Sequence, residues 1–251
     1  MKHAFSLVEL SIVLVVLGLL TGGVLTGQSL IRAAELRSGN TEFQSHLSAA
    51  FTFRDKYFAL PGDLTNATEF WGALGDAGTG ACPSTAGTGT ETCPGNGNGK
   101  VDYSLDNPNS VEGFSFWKHL ANAGLIEGNY TGVPGNASSS HALINENVPA
   151  SKVSGGGWTI RWVWKLPIYI NTITDDHFFF MGGEKPNDAT YGKIFTAREM
   201  WNIDKKMDDG DPIRGRVVHM AGWSNSCTTV TAVTDTDVSY NLSDESLSCA
   251  I

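Results

Sequence analysis

The most restrictive feature of this chain is an apolar run near its start. From Phe5 to Leu25 it reads FSLVELSIVLVVLGLLTGGVL, and Glu9 is its single ionisable side chain. Coiled as a helix, the run is about 31 Å long, enough to cross the hydrocarbon layer of a bilayer, so a membrane-spanning helix is the first expectation. A removable secretory signal is the other reading. The apolar part of such a signal is usually only about 7–15 residues and is followed by a small-residue cleavage site. Here only Met1, Lys2, His3 and Ala4 precede the run, and no A-x-A pattern directly follows it.

Charge does not orient the segment: Lys2 lies before it, and Arg32 and Arg37, with Glu35 between them, lie after it. Cysteine usage says more. Cys82, Cys93, Cys227 and Cys249 all follow the run without Cys-x-x-Cys spacing, which suits two disulfides in an oxidising compartment and places the bulk of the chain outside the cytoplasm. The pairs Cys82–Cys93 and Cys227–Cys249 are preferred because each closes a local loop; free thiols are the alternative. Twenty-six acids against 17 bases give a net charge of −9, which argues against generic binding to nucleic-acid backbones or anionic lipid surfaces. A charged fraction of 17% with 29 glycines suggests a loop-rich displayed protein, whereas 41% apolar residues and seven Trp suffice for a real core.

Glu9 needs a physical account, because a carboxylate within lipid costs several kcal/mol unless it is paired or near the interface. Two accounts are open. It can snorkel to the headgroups, or, were the chain cut after Ala4, it can pair with the new α-amine of Phe5 in the same chain or a neighbour. The stretch Ala4-Phe5-Ser6-Leu7-Val8-Glu9-Leu10 followed by SIVLVVLGLL resembles the processing signal of type IV prepilins and the related secretion pseudopilins. The resemblance covers about thirty residues, and Ala4 stands where the family usually has Gly. It implies cleavage between Ala4 and Phe5 by a prepilin peptidase, N-methylation of Phe5, and Glu9 as the residue that sets assembly register. Residues 1–4 are then a leader, 5–27 the transmembrane or filament-core half of a long helix, and 28–251 a globular head that includes the helix's amphipathic half.

Beyond Gly27 the pattern predicts a continuing helix to about Phe58, with an apolar stripe of Leu36, Phe43, Leu47, Ala50, Phe51 and Phe58 ended by Leu60-Pro61-Gly62-Asp63. A sheet is the expected cover for that stripe. The strongest strand pattern runs from Trp158 to Ile170, with Trp158, Ile160, Trp162 and Trp164 on one parity and Pro167 at an edge or bend. His177 to Met181, Ile213 to Met220 and Val230 to Val238 read as further strands, paired antiparallel because their connections are short. Asn109-Ser110-Val111-Glu112 has capping-box spacing before a helix that stops at Gly124, and Thr196 to Glu199 opens another that stops at Gly210. Gly75 to Asn109 reads as a loop too long to order without the constraint of Cys82 and Cys93. The expectation is an α+β, pilin-like fold: a long N-terminal helix packed on an antiparallel sheet, with disulfide-bounded loops. The C-terminal cysteine pair resembles the disulfide-bounded region that shapes the exposed face of many pilins.

Two clusters could hold a structural Ca²⁺, although none is required. Asn96, Asn98 and Asp102 partly fit a loop of alternating oxygen ligands, but Pro94 occupies the first position and an Asn-Gly turn is the plainer reading. Asp208, Asp209 and Asp211 surround Gly210 at a helix end, where acids oppose the dipole unless a cation relieves them. No H-E-x-x-H, G-x-S-x-G or Walker loop occurs, and His119 and His219 read as structural, so no enzyme is expected. The resemblance implies a structural subunit of a bacterial type IV pilus-like filament. It would be held in the inner membrane before assembly and exported to the cell surface as a helical homo-oligomer by the pilus machinery. A minor pilin or pseudopilin of a secretion or DNA-uptake piston, and a membrane-anchored receptor or enzyme with an unrelated signal anchor, are the alternatives.

Overall fold

The computed structural model describes residues 7–75, 82, 87, 89–103, 111–136, 138–163, 176–219, 226–229 and 237–251. One element dominates it. Helix α1 spans Leu7–Tyr57, 51 residues without interruption, a rod about 76 Å long. No other described element covers its most apolar stretch. Its second half enters the head, where Gly39, Ala49, Ala50 and Phe53 are buried and Leu36, Phe43 and Tyr57 pack against the core.

The buried face is rotated from the expected stripe. Phe53, fully buried, stacks on His119 and Tyr57, whereas Phe51 is 48% exposed and Phe58 92% exposed. Periodicity in large apolar residues misplaced the stripe because Gly39 and His46, which complete the real face at the same spacing, carry no hydrophobic signal. Gly39 is needed for a close approach: a Cβ there would stand 3.2 Å from Cε of Met181. The helix ends at Tyr57, and Phe58 turns left-handed (φ 55) while its N–H donates to the Arg54 carbonyl at 2.8 Å, a helix-ending bond usually made by glycine.

The short helix α2 (Ala67–Trp71) follows, then α3 (Glu112–Asn122). Almost all of α3 is buried, and Trp117, Phe114, Phe116 and Leu120 carry the centre of the core. Its N-cap is Val111, with no side-chain capping bond. The Glu112 carboxylate accepts the backbone N–H groups of Asn96 and Asp102, each at 2.9 Å. Asn109 lies outside the described residues. The stop at Gly124 is as expected, with φ +71.

Strands β1 (Gly157–Val163) and β2 (Asp176–Gly182) form one antiparallel pair, with Trp158 opposite Met181, Ile160 opposite Phe179 and Trp162 opposite His177. The sheet is smaller than expected but buried on both faces. Thr159 and Arg161, on the other parity, are covered by the stretch after β2: Thr159 shares a hydrogen bond with Thr190 at 2.9 Å, and Arg161 donates to the Tyr191 hydroxyl at 3.2 Å. Residues 164–170 of the expected strand, with Pro167, lie outside the described residues, as do 230–236 of another. Residues 213–219 form turns rather than the strand expected from Ile213 to Met220. Asp211 and Asp208 hold this segment bent, because their carboxylates accept the N–H groups of Ile213 and Arg216. The chain's end supplies an edge instead, Met181 and Ile251 exchanging backbone hydrogen bonds at 2.7 and 3.0 Å.

Helix α4 (Ala197–Met207) begins with the expected capping box between Thr196 and Glu199 and ends before Gly210, with Asp208 as its C-cap. Cys82 bonds Cys93, and Cys227 bonds Cys249. The second bridge lies beside the Phe195–Cys249 pairing and so ties the end of the chain to the start of α4. The architecture is α+β: a long helix, a small antiparallel sheet and two disulfides.

Candidate assembly site

The first half of α1 is almost wholly exposed. Leu7, Leu10, Ile12, Leu14, Leu17, Leu20 and Leu25 are each more than half exposed, and the helix is long and apolar enough to cross a membrane, with none of its most apolar window buried. Its hydroxyls are already satisfied. Ser11, Thr21, Thr26 and Ser29 each donate to a carbonyl three or four residues back in the same helix, so the surface offers a dry surrounding almost no polar demand. Glu9 is exposed on this half. Ala4 and Phe5 lie outside the described residues, as does any contact between Phe5 and Glu9.

Where the rod meets the head, Arg32 forms a collar. Its Nε and Nη2 donate to the two carboxylate oxygens of Glu199 at 2.6 and 3.0 Å, Nη2 also to the Ile194 carbonyl at 2.7 Å, and Nη1 to Glu35 at 3.0 Å. The same Glu199 oxygen that meets Nη2 accepts the Thr196 N–H, closing the capping box. These bonds to Glu199 raise the Arg32 pKa; burial works against the Glu199 carboxylate, but Arg32 outweighs it and holds its pKa below the usual carboxylate range. One turn of capping chemistry thereby fixes α4 to the exit point of the rod. The pair is partly exposed, so its contribution is about 1 kcal/mol.

Higher on α1, Glu42 accepts from the Ser151 hydroxyl at 2.7 Å, the Lys152 N–H at 2.8 Å and the Trp158 indole at 3.3 Å. Sequence reading missed this residue. A lone acid on a mixed-polarity helix looks solvated, and only a fold that brings residues 151–158 to it gives it a role.

The expected cation sites are otherwise arranged. The amide nitrogens of Asn96 and Asn98 donate to Asp102 at 3.1 and 3.2 Å, while their oxygens accept the N–H groups two residues on. The loop closes on itself and on the Asp63 carboxylate, which accepts N–H groups from Gly97, Asn98 and Gly99. This is a hydrogen-bonded turn, not a converging set of oxygens. In the second cluster Asp204, Asp208 and Asp209 come together, while Asp211 turns to Arg214 at 2.7 Å. Asp204, from one turn earlier in α4, takes the place expected of Asp211. Burial pushes its pKa up to about 6 although it accepts the Tyr240 hydroxyl at 2.8 Å and the Gly210 N–H at 3.1 Å. These donors tie the end of α4 to the C-terminal loop.

His119 is fully buried and structural. The Gly62 N–H donates to its Nδ1 at 2.9 Å, so Nε2 carries the proton toward Thr92 at 2.9 Å and Cys93 at 3.3 Å. It thus joins the turn after α1 to the first disulfide. Set against known proteins, the chain matches no family model, no curated protein and no solved structure.

Proposed function

We propose that this chain is a non-enzymatic structural subunit that polymerises through the first half of α1 into a type IV pilus-like filament, after removal of residues 1–4 and methylation of Phe5. The observation that carries the reading is the bare apolar half-rod continuing without a break into a half that holds a folded head. Such a helix is stable in lipid, and equally stable where copies of itself replace the lipid. In that dry bundle Glu9 meets the α-amine of Phe5 on an adjacent copy, since neither charge is solvated there. The head stays outside the inner membrane, where its disulfides persist. A minor pilin or pseudopilin is the second reading, favoured by the size of the head over residues 28–251.

Glu9→Val tests the pairing. The expected outcome is a stable, membrane-held protein with an unchanged head and at least tenfold fewer surface fibres, counted by electron microscopy. Fibres at the normal number would remove Glu9 from assembly.

A further inference from the structure

Lys118 lies on α3 with its side chain inside the head, 1% exposed. Its ammonium meets two acceptors among the described residues, and neither is charged: the Gly89 carbonyl, and Oδ1 of Asn129 at 3.3 Å. An ammonium buried without a bonded counter-charge is costly, and burial lowers its pKa. The filament reading leaves this group without a role.

Both neighbours of the ammonium are held in place. Residues 89–93 are fixed to α3 by the Asn122 amide, which donates to the Thr90 carbonyl at 2.7 Å, and by the contacts of His119 with Thr92 and Cys93. Past the end of α3 the chain folds back over Lys118. The Ser115 hydroxyl donates to the Gly132 carbonyl at 3.3 Å, the Thr131 N–H donates to the Glu146 carbonyl at 3.0 Å, and a Cβ at Gly132 would stand 3.2 Å from Cβ of Lys118. Tyr130 is buried there, while Asn129 beside it is exposed. Glu91 completes the group: its Oε2 accepts the Gly89 N–H at 2.7 Å, on the residue whose carbonyl holds the ammonium, and its charge acts on Lys118.

We propose that Lys118 and Asn129 become joined by an intramolecular amide bond, formed without a cofactor or a second substrate. The lone pair of the uncharged Nζ attacks Cγ of Asn129, the Nζ–Cγ bond forms, and the carbonyl electrons move to Oδ1. Glu91 takes a proton from Nζ and delivers one to Nδ2. The carbonyl then re-forms, the Cγ–Nδ2 bond breaks, and ammonia leaves on the exposed side of Asn129. Nothing is oxidised or reduced: an amine and a primary amide become one secondary amide and ammonia. Three features favour the step. The fold holds the two groups together, which replaces an encounter in solution; burial supplies the uncharged amine that the attack needs; and the product no longer carries the buried charge. The bond closes residues 118–129 into a covalent ring at the exit of α3, and it does not depend on whether the chain forms a filament.

Peptide mass spectrometry of the denatured full-length protein tests it. Between Lys100 and Lys152 the one lysine or arginine is Lys118, so trypsin is expected to leave residues 101–152 uncut and lighter than their sequence by one ammonia. A glutamate-specific protease then cuts after Glu112, Glu127 and Glu146, and fragments 113–127 and 128–146 are expected to stay joined. Cyclisation of Asn129 on its own backbone also loses ammonia, but it leaves Lys118 cleavable and those fragments separate, and that pattern would overturn the proposal. Asn129→Ala and Lys118→Arg are each expected to release every fragment at full mass. Glu91→Gln is expected to slow the joining about a hundredfold in a pulse-chase; an unchanged rate would remove Glu91 from the step. Separate fragments at full mass from the wild-type protein, after incubation at an alkaline pH where the amine is uncharged, would overturn the bond itself.

Discussion

His46 sits between two indoles, its ring 5.0 Å from that of Trp117 and 5.6 Å from that of Trp158, and neither of its buried nitrogens has a hydrogen-bond partner among the described residues. Burial lowers its pKa to about 4. A histidine whose folded pKa lies below its unfolded value of 6.5 binds more protons when unfolded, so the stability tied to its neutral form is complete above pH 6.5 and is lost as pH falls toward 4. His46→Phe keeps an aromatic ring there and removes two orphaned polar atoms. It is expected to raise stability by about 1 kcal/mol at pH 8 and by more at pH 5, read by denaturant unfolding of the full chain in neutral detergent; an equal gain at both pH values would show that His46 does not titrate in this window. At this scale sequence was a partial guide. The Thr196–Glu199 box was visible because its signal is local. The partners of Glu42, His46 and Glu112 come from residues far along the chain, and no spacing rule reports them.

Among the elements, α1 was the most legible, since an uninterrupted apolar run followed by helical periodicity has few other solutions. The phase of its buried face was not, because the face is completed by glycine and histidine. Strand 157–163 was readable from its alternation, but alternation did not report that Thr159 and Arg161, on the other parity, are buried too, Thr159 against Thr190 and Arg161 against Tyr191. The end of α1 carries a local conflict. Phe58 adopts φ 55 with its ring 92% exposed, combining a backbone conformation unfavourable for a side chain with no packing in return. Phe58→Gly is expected to stabilise the head by about 0.5–1 kcal/mol, the strain relief being partly offset by a more flexible unfolded chain. A rise of a few degrees in melting temperature with unchanged helical circular dichroism would show it; a loss of stability would mean that the Phe58 ring packs against something at the head's far end.

The whole molecule is a rod clothed along half its length. Phe53, Trp117, Trp158 and Phe179 belong to the apolar packing that encloses the upper half, and the Arg32 collar marks where cover stops. The lower half has a surface suited to lipid or to its own copies, and the proposed filament uses the second. N-terminal mass spectrometry of fibres sheared from the cell surface tests this most directly. The account predicts that this chain is present in the fibres and begins with N-methylated Phe5. Chains recovered only as solitary membrane proteins still beginning at Met1 would contradict it.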